Sequence, residues 1–550
     1  MFLISAFVLI IPVLCLAFLG LRFYTHMLQL SSYQFQGYFR FMKTNWKRVL
    51  FHILFLIFFV LVFFGAGFNS MALPIVMLLA ILGIFIGLII SYLPREAKKK
   101  FVVTDRVKRL FITYVVLTVL IFALGCLGVR VTQVGLDEYG DVLFAVGLIM
   151  GAVIYVTVLP FIPALANLIN KPIENRINQG FIDDAVRILK EHENLRIIGI
   201  TGSYGKTSVK YYLTTLLSEG FRVLMTPESY NTPMGIVRTI REHMQPTHEV
   251  FVCEMGARHL HDIKEITDFV HPDDGIVTSI GYQHLETFHS LENIISTKYE
   301  LLDAVDEKEK AEGGKVPGKH LKFVNGDNEI IRNNMKYPDA ITYGLSEGCD
   351  FRATDIKVTG AGTTFTVTSK TGESSEFNTK LVGRHNVENI VGAIAAANSL
   401  GIPMTKLRMA VRRLQSVPHR LELVKHGNVS ILDDAYNSNP NGAKVALETL
   451  ALFEDSVKIL VTPGMVELGE KEDEYNKDFG AQAAGVCDYI ILVGDKNSAS
   501  IKKGVEEAGF DPEKLFVKST FTEASKLMYE LDAGREKVIL LENDLPDNYK

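Results

Sequence analysis

Cysteine is scarce in this chain. Its 550 residues include five, at positions 15, 126, 253, 349 and 487, and none stands at the paired spacing of a zinc site or a disulfide framework. Neither cross-link therefore holds the fold. Charge of one sign is equally scarce: 57 Lys and Arg against 62 Asp and Glu leave a formal net charge of −5, with no basic stripe interleaved with aromatics beyond residue 170. That argues against nucleic acid as a partner. Ionisable groups are missing from five long apolar runs, Phe2 to Leu19, Val49 to Phe68, Met71 to Leu93, Leu110 to Val129 and Val142 to Leu168, none of which contains Asp, Glu, Lys or Arg. Pumps and channels keep such groups inside the membrane, so their absence argues against a transport role.

Hydrophobic residues make up 48% of the chain, and these runs account for the excess. Each is long enough to cross roughly 30 Å of hydrocarbon as a helix, which predicts a membrane region over residues 1–170 with about five transmembrane helices. The first run reads as a retained span, with a signal peptide as the alternative: its flank, Gly20-Leu21-Arg22-Phe23-Tyr24, has no small-x-small cleavage site and four more runs follow. Lys and Arg crowd the first connection (Arg22, Arg40, Lys43, Lys47, Arg48) and the third (Arg95, Lys98, Lys99, Lys100, Arg106, Lys108, Arg109). The second is short and uncharged, and the fourth carries Asp137, Glu138 and Asp141. The positive-inside rule then puts the N-terminus outside and everything after Ile169 in the cytoplasm. Pro160 and Pro163 inside the last run allow a break that would change the count. The region reads as a plain anchor or as a site for a lipid-linked substrate.

Residues 171–194 form a connector. Beyond it, strand-like runs at Leu195 to Ile200, Phe221 to Thr226, Glu249 to Met255 and Gly275 to Ile280 alternate with helix-like ones, the pattern of a parallel sheet with helices on both faces and ligands at the carboxyl ends of its strands. Asp350 to Leu381 switch to period two, clearest at Thr363 to Thr368, and predict appended antiparallel strands. An alanine-rich helix, Asn386 to Ser399, closes this domain. A second alternating unit begins near Val429 and runs through Val457 to Thr462, Tyr489 to Val493, Lys514 to Val517 and Lys537 to Leu541. The fold class is a membrane α-helical region followed by α/β: a phosphate-loop central domain with a parallel sheet, 195–402, and a smaller Rossmann-like C-terminal domain, 403–550. Charged, glycine-rich Lys308 to His320 reads as a solvated surface loop.

The chemistry centres on Thr201-Gly202-Ser203-Tyr204-Gly205-Lys206-Thr207, set between a strand and a helix. Glycines let backbone N–H groups close on phosphate oxygens, Lys206 supplies a point charge, and Thr207 can hold Mg2+. The usual extra glycine five residues before the Gly-Lys pair is replaced by Ile200. Glu254 ends the strand run at 249–255, where a carboxylate beside a phosphate loop can hold Mg2+. His284 follows the next strand at the same predicted sheet edge.

Together with Tyr230-Asn231-Thr232-Pro233-Met234-Gly235, Glu254-Met255-Gly256-Ala257, His284-Leu285-Glu286, Lys298-Tyr299-Glu300-Leu301, Gly383-Arg384-His385-Asn386-Val387-Glu388-Asn389, His419-Arg420-Leu421-Glu422 and Asp433-Asp434-Ala435-Tyr436-Asn437-Ser438-Asn439-Pro440, these residues resemble the Mur ligase family, ATP-dependent amide-bond-forming enzymes of peptidoglycan synthesis in bacteria. The likeness is greatest to the branch that adds D-alanyl-D-alanine. It implies that a muropeptide carboxylate is activated by ATP as an acyl phosphate and then attacked by an amine. By the same resemblance Lys206, His284, Lys298 and Arg420 are catalytic, and Thr207, Glu254, His284 and a carbamylated Lys298 hold Mg2+. Gly202, Ser203, Gly205, Lys206, Thr207, Ser208, Asn386, Asn389, Arg420 and Asp434 contact the nucleotide, with Asn389 at the adenine. Asn231, Thr232, Tyr436, Asn437 and Asn439 contact substrate.

Two departures stand out. Soluble members carry an N-terminal domain that grips the UDP of the donor, where this chain has its apolar runs, so the muropeptide donor is either UDP-linked or held by a polyprenyl lipid in the bilayer. The chain also closes on Leu541-Glu542-Asn543-Asp544 rather than on the basic, glycine-containing stretch that the resemblance implies. The alternative reading is a membrane-anchored member of the superfamily that adds another amino acid or builds a peptide or polyglutamate-like surface polymer.

Overall fold

The computed structural model describes residues 2–50, 52, 83, 86–93, 100–132, 140–314, 318–359, 362–435, 438–466, 468–494, 498–532 and 534–543. Most of the two apolar runs from Val49 to Phe68 and Met71 to Leu93 lies outside these residues. The chain divides into two compact units, one up to Gln179 and one beginning at Gly180.

The first unit is helical, with helices at Phe2–Leu30, Phe35–Thr44, Asp105–Thr132, Gly140–Val158 and the first part of Ile162–Glu191. Among the described residues, Asp105–Gly128 is one helix long and apolar enough to cross a membrane. Its Ile112, Val115, Val119 and Leu124 are more than half exposed. The predicted run from Val142 to Leu168 is not one straight helix: Met150–Val158 and the helix from Ile162 meet at 77°. Pro160 lies in the break, where its missing N–H costs the helix a bond. Gly125, Gly147 and Gly151 bring two helices into close packing, since a Cβ at Gly125 would stand 2.7 Å from the Gly147 carbonyl and 2.8 Å from the Gly151 nitrogen.

The predicted connector 171–194 is mostly helix, because Ile162–Glu191 continues without interruption. Ala185 and the flanking Ile182, Val186 and Leu189 pack into the core of the second unit. That core surrounds a nine-stranded sheet in the order β2-β3-β1-β4-β5-β6-β7-β8-β9, with β1 Arg196–Thr201, β2 Val223–Met225, β3 Val250–Glu254, β4 Asp274–Val277, β5 Lys322–Asn325, β6 Ile341–Gly344, β7 Phe351–Thr359, β8 Gly362–Ser369 and β9 Ser374–Thr379. β1 pairs in parallel with β3 on one side and β4 on the other, so that Ile198 lies opposite both Val252 and Asp274. The order reverses there, and the loop after β1 opens at the switch point. Parallel strands buried on both faces read as short apolar runs, which is why β1, β3 and β4 were legible. β5 and β6 are additions to the sequence reading: four residues each, they carry parallel pairing from β4 to β7. β7, β8 and β9 are antiparallel, as the period-two pattern predicts.

Three helices cover one face of this sheet, Lys206–Leu217 and two that follow the strands. Arg384–Ser399 buries a stripe of alanines, and Met404–Val411 follows, with Leu407, Val411, Leu414 and Val417 in the same core as Ile390 and Ile394. The central domain thus extends past Val417 rather than ending at residue 402. The start of the supposed surface loop at Lys308 is the last turn of the helix Leu291–Ala311, and Lys308 is tied to Asp273 at 2.5 Å.

The C-terminal sheet runs β10-β11-β15-β12-β13-β14, with β10 Glu422–His426, β11 Val429–Asp434, β12 Val457–Thr462, β13 Tyr489–Val493, β14 Leu515–Lys518 and β15 Lys537–Glu542. All pairs are parallel except β10–β11, a hairpin that adds an edge strand absent from the sequence reading.

Candidate active site

The loop after β1 is held by its neighbour strand. Ser203 N–H donates to the Ser279 carbonyl at 2.8 Å, Tyr204 N–H to Ser279 Oγ at 2.8 Å, and Thr278 Oγ1 to the Tyr204 carbonyl at 2.6 Å. The Ser203 hydroxyl and the Gly281 backbone exchange bonds at 3.1 and 3.0 Å. Gly205 has φ 82°, and a Cβ there would meet Asn389 Oδ1 at 2.7 Å; at Gly202 a Cβ would run into Thr278 Oγ1 and the Ser279 backbone. Both places need glycine. The helix Lys206–Leu217 starts immediately after, and its N-terminal N–H groups face the loop. Lys206 is folded onto the Gly202 and Ser203 carbonyls at 2.5 and 3.2 Å. Burial, helped by the positive charge of Arg420, lowers its pKa to about 8.

At the end of β3, Glu254 Oε1 accepts from Thr207 Oγ1 at 3.2 Å and from Asn231 Nδ2 at 3.0 Å. Lys210 Nζ lies 3.0 Å from Oε2 but outside hydrogen-bond geometry, and Oε2 is a buried acceptor without a hydrogen bond. Burial alone would push this carboxyl up, yet Lys210 and Lys206 outweigh it and hold the group below the usual range. A hydroxyl, an ionised carboxylate and a phosphate loop together suit Mg2+, a hard cation that takes oxygen ligands. Thr207 and Glu254 would hold it.

Lys298 sits on the helix Leu291–Ala311 with 2% of its surface exposed. Burial, then repulsion from Lys206, pushes its pKa well below that of an ordinary lysine. His284 adopts φ 53° at the start of the short helix Leu285–Phe288. Among the described residues no three His, Cys, Asp or Glu side chains form a ready metal group, so His284 does not join Glu254 in such a cluster.

Arg420 stands between His419 and Leu421, two non-glycine residues with φ 58° and 50°. Such a conformation persists only where the surroundings enforce it. Here His419 Nδ1 binds Asp433 Oδ2 at 2.7 Å and Leu421 N–H donates to Asp434 Oδ1 at 3.1 Å. Arg420 is within electrostatic reach of both Lys206 and Asp434. The C-terminal domain also meets the loop directly: Asn441 bonds the Tyr204 hydroxyl, and the Tyr282 and Tyr475 rings lie 6.3 Å apart with Lys471 over both.

Several of the expected site residues also have partners within the fold. Asn386 is buried, accepting from the Tyr212 hydroxyl at 2.7 Å and donating to the Val382 carbonyl at 2.9 Å, so its amide ties the helix Lys206–Leu217 to the loop before its own helix. Ser208 bonds Tyr212 as well. Thr232 and Asn439 cap helices, accepting from Gly235 N–H at 3.3 Å and Gly442 N–H at 3.0 Å. Tyr436 and Asn437 lie outside the described residues. Lys210 was overlooked, although its place one helical turn after Lys206 puts it on the loop side of the helix.

Two family models match the chain: the Mur ligase middle domain over residues 200–397, and the Mur ligase, glutamate ligase domain over residues 419–542. Among similar proteins is the UDP-N-acetylmuramoyl-tripeptide–D-alanyl-D-alanine ligase of Bacillus subtilis (strain 168), 31% identical over 345 residues that cover 62% of this chain and 71% of that protein. The ligase of the same name from Escherichia coli (strain K12) is 29% identical over 371 residues, covering 64% and 78%. In fold the chain resembles MurF from Acinetobacter baumannii, with a TM-score of 0.59 and 24% identity over 68% of this chain and 78% of the other. It also resembles MurF ligase from Thermotoga maritima in complex with ADP, at a TM-score of 0.58 and 22% identity over 67% and 80%. With the middle and C-terminal Mur ligase domains matched in that order along it, the chain belongs to the Mur ligase family and is an ATP-dependent ligase.

Proposed function

We propose that this ligase adds D-alanyl-D-alanine to the terminal carboxylate of a muropeptide, as its relatives are named for, and works from the cytoplasmic face of a bacterial membrane. The observation that carries the activity is the Thr207–Glu254 contact beside Lys206, with Arg420 of the C-terminal domain brought to the same loop. Lys206 and the helix N-terminus offset the charge of the ATP phosphates. Thr207 and Glu254 would hold Mg2+, which would neutralise negative charge on the transferring phosphoryl group. A donor carboxylate oxygen bonds to the γ-phosphorus as the bond to ADP breaks; the acceptor nitrogen, as the free amine, then bonds to the acyl carbon as phosphate leaves, and its extra proton passes to solvent. Docking of the C-terminal domain keeps water from the acyl phosphate.

Lys298 fits a carbamate. Its burial favours the neutral amine, which alone attacks carbon dioxide, and the product is an anion able to complete the oxygen set that Thr207 and Glu254 begin.

Membrane attachment rests on the exposed apolar face of Asp105–Gly128, the glycine packing at Gly125 and Gly151, and the Lys and Arg in the first and third connections. Such an anchor favours a donor carried by a lipid over one carried by UDP. The test is mass spectrometry of products made from ATP, D-alanyl-D-alanine and a mixed pool of UDP-linked and lipid-linked muropeptides. Amide product from the lipid-linked pool is expected, and equal turnover of both pools would sink the lipid preference.

A further inference from the structure

The helix Phe35–Thr44 of the first unit is ten residues long, too short to cross a bilayer. It follows a tight turn at the end of Phe2–Leu30, where Ser32 and Tyr33, neither of them glycine, have φ 51° and 61°. Such backbone persists only where the surroundings fix it, and three contacts do so. Tyr33 N–H donates to the Leu28 carbonyl at 2.8 Å, Asn167 Nδ2 donates to the Tyr33 carbonyl at 3.1 Å, and Arg106 Cζ lies 3.8 Å from the centre of the Tyr33 ring. The turn folds Phe35–Thr44 back along Phe2–Leu30, so that the rings of Phe41 and Phe23 stand 6.0 Å apart. The Tyr38 hydroxyl then donates to the Pro160 carbonyl at 2.6 Å.

That packing buries one stripe of the helix, Tyr38, Phe41 and Met42. Phe39 stays 46% exposed and stacks on Phe35 one turn earlier, with ring centres 6.3 Å apart; Trp46, two residues past the helix, is 55% exposed. Arg40, Lys43 and Lys47 alternate in sequence with these rings, and the chain has no Asp or Glu before Glu96. The third connection joins at the turn: its Lys100 and Val102, with Gln29, Leu30 and Ser32, line an open cavity of about 420 Å3. Aromatic rings beside Lys and Arg, in a stretch without acids, are the composition of a helix that lies in the boundary between headgroups and acyl chains. Trp46 also stands three residues before the apolar run that opens at Val49, at the depth where tryptophan anchors a membrane protein.

We propose that Phe35–Thr44 and Trp46 form an interfacial face that gathers anionic phospholipids of the inner leaflet, with the rings at the acyl boundary and Arg40, Lys43, Lys47 and Lys100 on headgroup phosphates. This rests on the membrane reading given above, but on neither the donor nor the acceptor. A plain anchor has no headgroup preference. This face confers one, because a headgroup of net negative charge meets a stretch that carries only positive charge, whereas a zwitterionic headgroup brings its own cation.

Trp46 is the single tryptophan of the chain, so its fluorescence reads this face alone. The experiment places full-length enzyme in nanodiscs of mixed phosphatidylcholine and phosphatidylglycerol, with bromine on the acyl chains of one lipid or the other at equal mole fraction. Brominated phosphatidylglycerol should quench Trp46 about threefold more strongly than brominated phosphatidylcholine. Salt at about 0.5 M should remove the difference. So should replacing the three cations together, Arg40→Gln with Lys43→Gln and Lys47→Gln, whereas Arg40→Lys with Lys43→Arg and Lys47→Arg should keep it. Equal quenching by the two lipids in wild type at low salt overturns the proposal. Loss of the difference on adding inorganic phosphate at constant ionic strength overturns it as well, since that marks a seat for phosphate itself. Quenching by neither lipid, in enzyme that resists alkaline carbonate, places Trp46 against protein and overturns it too. Enzyme that carbonate releases would fail on the membrane reading itself, and the face would fail with it.

Discussion

Lys210 Nζ stands 3.0 Å from Glu254 Oε2, and the two side chains are 0% and 1% exposed. Lys210 also donates to the Glu228 carbonyl at 2.5 Å, so its ammonium is fixed from two sides. It keeps the carboxylate ionised in a dry place. Lys210→Met should therefore destabilise the enzyme by about 3–5 kcal/mol, the usual cost of leaving one buried charge alone. Adding Glu254→Gln should restore much of the loss. Thermal unfolding of the two single variants and the double variant measures both, and an additive double variant would disprove the coupling.

Asn231 and Thr232 are adjacent but do different work. The Asn231 amide steadies the Glu254 oxygen that also meets Thr207, whereas Thr232 caps the helix Pro233–His243. Removing a group that orients a metal ligand typically costs about 10–100-fold in metal affinity or activity. Asn231→Ala should raise the Mg2+ concentration for half-maximal ADP release by that factor. Thr232→Ala should cost about 1 kcal/mol of stability as a lost cap and leave the Mg2+ dependence alone. Titrating Mg2+ in both variants distinguishes them.

A carbamate on Lys298 has a direct signature. Wild-type enzyme supplied with 13C-labelled bicarbonate should give a carbamate carbonyl resonance that Lys298→Gln lacks. Stripping carbon dioxide should lower ligase activity in wild type and readmitting it should restore the rate. Acid should also slow the enzyme, because the neutral amine is the reactive form and burial makes it available near neutral pH. A wild-type rate indifferent to carbon dioxide would remove the carbamate from the mechanism.

The parts of this site that were legible in sequence are those made by local chemistry. Gly202, Gly205, Lys206 and Thr207 announce a phosphate loop by spacing, and strand ends place Glu254. Tertiary facts were hidden. β5 and β6 are four-residue strands whose partners lie elsewhere in the chain, too short for either period to register. Asn386 sits in a stretch that resembles a nucleotide-contacting motif, and only packing reveals that its amide bonds Tyr212 and Val382. Leu414 and Val417 belong to the central core by contact, which no turn signal near residue 402 could convey. Glu542 departs from the close that the resemblance implies, and only the fold shows it buried opposite Asp434.

The glycines of the first unit allow a test of membrane attachment that leaves the ligase untouched. A Cβ at Gly151 would stand 3.0 Å from Phe122 Cα, and one at Gly147 would stand 2.6 Å from Cys126 Cα. Small residues at this spacing let membrane helices approach closely. Gly151→Leu should force the helices apart and lower the yield of enzyme in the membrane fraction, while protein that is recovered still binds ATP. Wild type should resist extraction by alkaline carbonate. Release of the wild-type chain into the supernatant would contradict the membrane reading.

Asp434 gives stability a pH dependence whose sign follows from its burial. Its pKa rises from 3.8 to about 6 on folding, so between those values the native state binds more protons than the unfolded chain. Stability then falls as pH rises through the window, since its slope follows the protons bound by the unfolded state minus those bound by the native one. Each pKa unit corresponds to about 1.4 kcal/mol. Glu542, raised further by Asp434 itself, extends the decline toward higher pH. Asp434→Asn keeps an oxygen for the Leu421 N–H but has no charge to bury. Its Tm relative to wild type should therefore increase from pH 4 to pH 7, by roughly 2–4 °C for each kcal/mol recovered. A Tm difference that stays flat or shrinks across that range would mean that Asp434 is not held in a dry site.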